Sequence, residues 1–455
     1  MILSSININT NRSVSDKIRL CFWCYLLMLI FEGAIRKWFL PGLSDLFLVI
    51  RDPIVLYVIY LSVKYRLLKD KFIIYLFVLS IISFVLTLLF GHHNIGVALY
   101  GVRITLLHIP SIFIFGKILS RQDIYLIGKV VLCISVVMFV IILLQYFSSS
   151  NSWINRGTGG VGTASFQAIS GYMRPSGTFS FTSGLCEFEL LVNLYLFYFL
   201  YNNNSLGKTY RLNFIILLVF TVIFFFSIVL CLSRAVIFQT FLMSLIILVY
   251  PFFMRENIIR AVNFVLLFIV LCIILLQFDV FKLALENIFI RFEQASKSEG
   301  HVIEGTLGER LFGSFYRAFF DTQNFSNKDI PFFGFGLGIG TKVGEAILNI
   351  RSIGHSFAFA EEEWSRIICE VGLFQGIFYL LVVRLFFPIY FLIKALTYIR
   401  KDFFLYLSIF PFLLYMINSQ WTVPTSLGFT VVLSSLFMAS YYNNINNQSS
   451  VLLCK

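Results

Sequence analysis

Apolar residues fall along this chain in runs of about twenty, separated by short polar turns, and this spacing matches the hydrocarbon thickness of a bilayer. Spans are predicted at 20–40, 44–63, 72–91, 97–116, 124–147, 181–201, 212–232, 235–254, 258–278, 364–393, 403–420 and 425–442, twelve in all. Lipid offers backbone groups no water, so the runs must be helices, and the alternating pattern of a membrane barrel is absent. The predicted fold is an all-α polytopic membrane protein. The pattern divides the chain into nine spans over 1–278, a large extracytoplasmic loop over 279–362, three spans over 363–442 and a polar cytoplasmic tail over 443–455. The polar end YYNNINNQSS is expected to be disordered.

Composition agrees with the pattern. Charged residues are 13% and apolar residues 59%, where a soluble domain has nearer a quarter charged. The net charge of +12 does not point to nucleic acid, because the basic residues lie between spans, where they orient the protein and meet anionic lipid. Arg12, Lys17 and Arg19, the basic residues of 64–71, Lys117 and Arg121, Lys208 and Arg211, Arg255 and Arg260, and those of 394–401 fall on one side. The short loops GHHN and NSQWTVP, on the other side, hold no Lys or Arg. The positive-inside rule then places both termini in the cytoplasm. It also gathers the loop 148–180, the turn at Ser233 and Arg234, and the segment 279–362 on the outer face. The first apolar run carries Glu32, Arg36 and Lys37 with no small-residue cleavage site, so it reads as a span rather than a cleaved signal.

Most of the eight cysteines lie in apolar runs and read as small buried side chains. Cys21-x-x-Cys24 lacks a second ligand pair, so a zinc site is not expected, and a disulfide framework is not expected because the only cysteine of the long segment, Cys369, lies at its helical end.

Charges within spans ask for a partner or a cavity, since each costs about 2.5–3.5 kcal/mol at membrane depth on insertion scales. Glu32 and Arg36 are four apart and can pair along one helix face. Arg51 and Asp52 precede Pro53, and these four charges read as internal pairs that fix helix packing. Arg103 and His108, in the fourth span, could face a water-filled cavity. Arg174 opens RPSGTFSFTSG, an irregular entry to the sixth span, where an Arg and free backbone N–H groups can bind an anion or touch lipid phosphate. Arg234, in CLSRAV, has no carboxylate close in sequence; its partner comes from elsewhere in the fold or from a ligand, or the side chain snorkels.

The long segment without a spanning pattern runs from about Phe278 to Gly372. Leu307, Leu311, Phe312, Phe315 and Phe319 recur at helical spacing, as in an amphipathic helix on the membrane surface or one packed on its own domain. GFGLGIGT, Gly334 to Thr341, lacks the Gly-Lys-Ser/Thr ending of a nucleotide loop and reads as a tight backbone turn close to a ligand. Arg351, His355 and the cluster Glu361, Glu362, Glu363 follow. Glu362 reaches Arg366 at four residues and Arg366 reaches Glu370 at four more, a ladder that can be structural. A His or Glu beside several Arg is equally equipped to move a proton while an anionic leaving group is held.

Four features occur in order: Arg-x-x-Gly-Thr-Phe at 174–179, the Ser-Arg turn at 233–234, GFGLG, and an E-x-E-x-x-R-x-x-x-E-x-G entry from Glu361 to Gly372. Together with the twelve spans and one large loop before the tenth, they resemble the O-antigen ligase/polymerase superfamily of bacterial envelope enzymes. The resemblance implies a GT-C-like glycan transferase architecture in the cytoplasmic (inner) membrane with its site on the outer face. It implies transfer of a glycan from undecaprenyl pyrophosphate to an acceptor hydroxyl without nucleotide, metal or other cofactor. Carried over, Arg174 and Arg234 hold the pyrophosphate, with Arg103, Arg351 and Arg366 as further substrate-binding candidates, and Glu361 or His355 is the base. Ligases of this kind carry a His nine residues before the Glu of the E-x-G entry; here that position is Glu361, which favours a polymerase. The implied partners are the lipid-linked oligosaccharide, membrane lipids, and chain-length regulator and flippase proteins. A ligase acting on lipid A core or protein, and a flippase or other transporter, are the alternatives.

Overall fold

The computed structural model describes residues 2–68, 70–158, 172–254, 258–299, 330–349 and 363–453. Every element among them is helical. In chain order they are α1 (Ile2–Ala34), α2 (Asp52–Lys64), α3 (Lys71–Phe90), α4 (Ile95–Val102), α5 (Ile109–Ile118), α6 (Arg121–Phe147), α7 (Thr182–Asn202), α8 (Phe214–Leu230) and α9 (Arg234–Met254). There follow α10 (Ile258–Leu275), α11 (Asp279–Glu299), α12 (Lys342–Leu348), α13 (Glu363–Val371), α14 (Leu373–Tyr379), α15 (Phe387–Ala395), α16 (Phe403–Asn418) and α17 (Pro424–Leu453). Nine stretches, some joining two of these helices, are long and apolar enough to cross a membrane among the described residues. They fall on the first six, the eighth, the ninth and the tenth predicted spans. The seventh and eleventh appear as shorter apolar helices, α8 with 17 residues and α16 with 16.

Polar residues cut these helices where the sequence changes character. Ser120 and Asp123 form a reciprocal capping box that starts α6. Asn94, Asn213 and Asp402 accept backbone N–H bonds at the starts of α4, α8 and α16. The outward faces are apolar, as lipid requires: Ile74, Phe77, Ile81 and Val85 of α3 are all exposed. At the centre, α7 is buried along nearly its whole length and packs against α6, α8, α9, α16 and α17.

The polar end YYNNINNQSS, expected to be disordered, instead continues α17. Its asparagines dock on the neighbouring connections: Asn443 donates to the Leu119 carbonyl at 3.0 Å, and Asn444 accepts from Arg121 at 2.7 Å and donates to Asp402 at 2.8 Å.

Three helices widen into π turns, at Ile35–Phe39, Arg103–Leu107 and Leu380–Phe386. Each widened turn carries buried or half-buried cations: Arg36 and Lys37, Arg103, and Arg384. Such turns mark functional or strained places in helices.

The connections sort to two ends of the bundle. At one end Arg19 meets Asp123 at 3.1 Å, Lys117 meets Asp70 at 2.5 Å and Arg121 meets Asp402 at 2.8 Å. The other end holds the end of α1, the segment 172–181, the turn 231–233, the Gly-rich turn and the loop before α17.

Candidate functional site

The end of α1 and the approach to α7 are stitched together. Thr178 donates its hydroxyl to the Ile30 carbonyl at 2.5 Å, and Arg36 donates to the Ser180 hydroxyl at 3.1 Å. Lys37 donates to the Ser176 hydroxyl at 3.0 Å and the Gly177 carbonyl at 2.7 Å. Gly33 permits this approach, because a Cβ there would run into the backbone of residues 178–180. Gln145, near the end of α6, grips the same loop: its carbonyl oxygen accepts from the Ser176 and Gly177 N–H groups at 3.0 and 2.8 Å, and its amide donates to the Gly177 carbonyl at 3.1 Å.

Charged side chains gather at this place. Glu32 pairs with both Arg36, at 3.4 Å, and Arg51, at 3.3 Å. Arg51 also donates to the Pro424 carbonyl at 2.6 Å, tying α2 to the start of α17. Glu187 of α7 accepts from the Ser426 hydroxyl and lies within electrostatic reach of Arg51. Arg174 lies within electrostatic reach of Cys186 and Cys231, and the Cys186 thiol is 3.0 Å from the Ser233 hydroxyl. Arg174 therefore sits beside the turn that presents Arg234. The described residues gathered here include five cations (Arg36, Lys37, Arg51, Arg174, Arg234) and three carboxylates (Glu32, Glu187, Glu189).

The turn itself is tightly held. Leu232 adopts φ 47°, a left-handed conformation that is costly for a non-glycine residue and points to a functional constraint. Arg291 of α11 donates to the Leu232 carbonyl, and Asn287 donates to the Tyr146 hydroxyl at 2.9 Å. So the segment 172–181, the turn at 231–234 and the start of the long segment converge, as expected of the loops from the sequence.

A second constellation lies where α13 enters the bundle. Arg366 is clamped between Glu363 at 2.8 Å and Glu370 at 2.5 Å, and Arg384 reaches Glu363 at 2.6 Å. Arg384 also donates to the Met416 and Ser419 carbonyls at 3.2 and 3.1 Å and lies 3.5 Å over the Trp421 ring. All four charges are under 4% exposed, two of each sign. Burial alone would raise the Glu363 pKa, but Arg366 and Arg384 overcome it and hold the carboxyl below the usual range.

The Gly-rich turn packs on this ladder. Gly334, Gly336 and Gly338 have φ of 75°, 109° and 83°, which only glycine takes without strain. Their backbone lies against α13: Phe335 and Gly336 donate to the Cys369 and Glu370 carbonyls at 2.9 and 2.8 Å, and Gly340 donates to the Glu370 carboxylate at 3.1 Å. On its other side His92 donates from Nε2 to the Leu337 carbonyl at 2.9 Å, and Leu337 donates to the Thr87 hydroxyl at 2.9 Å. The turn is thus close to protein on both sides.

A third constellation joins α1, α2 and the turn before α5. Asp52 receives Arg103 through both oxygens and His108 Nε2 at 3.0 Å, while Tyr25 meets His108 Nδ1 at 3.1 Å. A carboxylate only accepts, so His108 carries its proton on Nε2 and accepts from Tyr25.

Of the residues singled out from sequence, Glu361, His355 and Arg351 lie outside the described residues, as do Glu362 and the helical pattern 307–319. Arg174 and Arg234 are brought together; Arg366 lies in the four-charge ladder and Arg103 on Asp52. Arg36 pairs with Glu32, four residues before it, as the spacing indicated. The sequence reading passed over Glu187, Glu189 and Arg384. Their signal was plain: Glu187 and Glu189 are charges inside the predicted span 181–201, and Arg384 is one inside 364–393. No family model, curated protein or solved structure matches this chain.

Proposed function

We propose that this protein is a polysaccharide polymerase of the bacterial cytoplasmic membrane, joining repeat units carried on undecaprenyl pyrophosphate at the outer face. The observation that carries the reading is the meeting of the Arg174 segment, the Arg234 turn and the N-terminus of α7 at one place, beside the buried Lys37. Such a place suits a diphosphate, whose charge the arginines and helix N–H groups offset. The order of sequence features supports the same reading.

In this reading the acceptor hydroxyl oxygen attacks the anomeric carbon of the donor's reducing-end sugar. The bond from that carbon to the diphosphate oxygen breaks, and its electron pair leaves with undecaprenyl pyrophosphate. The hydroxyl proton passes to Glu361 or His355. Arg174 and Arg234 stabilise the charge gathering on the leaving group, the strongest lever in steps of this kind. Glu363 is held by Arg366 and Arg384 and serves the fold rather than the proton.

The test is complementation of a deletion strain, reading surface-polysaccharide length on a gel. Single repeats in the deletion and in Arg174→Ala and Arg234→Ala, each present in the membrane at normal abundance, support a polymerase with this site. Long lipid-linked chains that never reach an acceptor would make it a ligase. Repeats trapped on the cytoplasmic side would make it a flippase.

A further inference from the structure

Lys37 is 1% exposed, and among the described residues no carboxylate lies within ion-pairing distance of it. Its hydrogen-bond partners are neutral, the Ser176 hydroxyl and the Gly177 carbonyl, and its ammonium lies 4.9 Å from the centre of the Trp38 ring. A buried ammonium without a counter-charge costs several kcal/mol, and a neutral side chain could make both bonds. Nor is Lys37 needed to fix the loop, since Gln145 grips the same peptide through three bonds. The charge calls for a purpose beyond holding Ser176 and Gly177 in place.

A second observation lies six residues on. Thr182 opens α7, a helix of 21 residues whose N-cap, Phe181, offers its first turn no side-chain acceptor. Thr182 is 4% exposed, and its hydroxyl has no hydrogen-bond partner among the described residues. Arg36 reaches Ser180, between the two. An ammonium, a guanidinium, an unpartnered buried hydroxyl and the N–H groups of a long helix thus converge on one short stretch.

We infer that Lys37 belongs to a phosphate-ester subsite at the N-terminus of α7, where an arriving phosphate or diphosphate supplies its counter-charge. This deepens the diphosphate reading above and rests on it for the ligand's class. Lys37 and Thr182 bind the ligand, and Gln145 is a positioning residue that presents the loop.

The test uses the purified full-length protein in neutral detergent. Binding is measured for inorganic pyrophosphate, for a short-chain polyprenyl diphosphate in micelles, and for micelles containing phosphatidylglycerol. Lys37→Met removes the charge at similar length. Its diphosphate affinity is expected to fall about tenfold or more, the worth of one charge-assisted bond. Its melting temperature is expected to stay level or rise, because an uncompensated buried charge has gone. If affinity and melting temperature both fall, Lys37→Arg decides: recovered affinity supports the subsite, and unrecovered affinity overturns it. Unchanged affinity with a lower melting temperature also overturns it, making Lys37 a loop anchor. Lys37-dependent binding of phosphatidylglycerol alone places a bilayer headgroup in the subsite; binding of either diphosphate makes the ligand a diphosphate. No Lys37-dependent binding of any probe overturns the inference. These binding results stand apart from complementation, so a protein that fails as a polymerase can still hold this subsite, and the reverse.

Discussion

Two buried clusters of charge in this bundle look alike in sequence and differ in kind. In the ladder of Glu363, Arg366, Glu370 and Arg384, every cation faces a carboxylate, and the set sums to zero. At the end of α1, Arg36 and Arg51 share Glu32, while Lys37 has only neutral neighbours, two oxygens and the Trp38 ring. The first cluster is closed: its charges already have the partners they need. The second leaves Lys37 without a carboxylate among the described residues, the place we propose for an anion. An arginine near a membrane surface is therefore weak evidence for a ligand until the carboxylates around it have been counted.

The sharpest way to break the comparison is to unbalance the closed cluster. Arg384→Leu leaves Glu363 facing one cation instead of two, and should destabilise the fold by about 3–5 kcal/mol, read as thermal unfolding in detergent. Pairing it with Glu363→Gln should recover much of that loss; no recovery would show that Arg384 acts through Trp421 and the 416–419 carbonyls instead. In the open cluster the effect should move from stability to rate. On the proposed polymerase reading, Arg174→Ala or Arg234→Ala should lower polymer formation about 10²–10³-fold in membranes, with protein abundance unchanged. A large fall in melting temperature in these variants would make them structural like the ladder.

Smaller effects refine the contrast. The folded protein holds Glu363 more acidic than the unfolded chain does. Its pairing therefore contributes stability above the ordinary carboxylate pKa, and loses it as pH falls through the lowered value. The melting temperature should not fall on this account between about pH 8 and pH 5, and should begin to fall below about pH 4. Tyr25→Phe leaves His108 Nδ1 without its donor and should cost about 1 kcal/mol in the same assay. Arg19→Ala, at the opposite end, removes half-exposed pairs with Asp16 and Asp123 and should change stability by no more than about 0.5 kcal/mol.

The helices were legible because lipid imposes a length on every apolar run. Local pairs were legible too: Glu32 and Arg36, and Arg366 and Glu370, sit four residues apart and meet as helix geometry requires. The pairings that separate the clusters were not. Arg103 meets Asp52, Arg384 meets Glu363 and Lys37 meets Gly177 across wide gaps in the chain, set by helix packing that spacing does not encode. The same limit explains the tail. YYNNINNQSS has the composition of a loose end, yet Arg121 and Asp402 offer its asparagines partners. The Gly-rich turn was readable as a turn, while its neighbours, Glu370 of α13 and His92 in the connection between α3 and α4, are far from it in the chain.

The three widened turns bear on how such a chain can vary. A π turn holds more residues than an α turn, and each residue of an α-helix advances about 100° around its axis. Ile35–Phe39 closes α1, but Arg103–Leu107 and Leu380–Phe386 each lie between two helical segments, and the stripes on either side of them are therefore offset in angular phase. Losing one residue there would act as a rotation of all that follows, turning a lipid-facing side toward the core, rather than as a shortening. The cations at these turns mark the places where the chain's register is least free to drift.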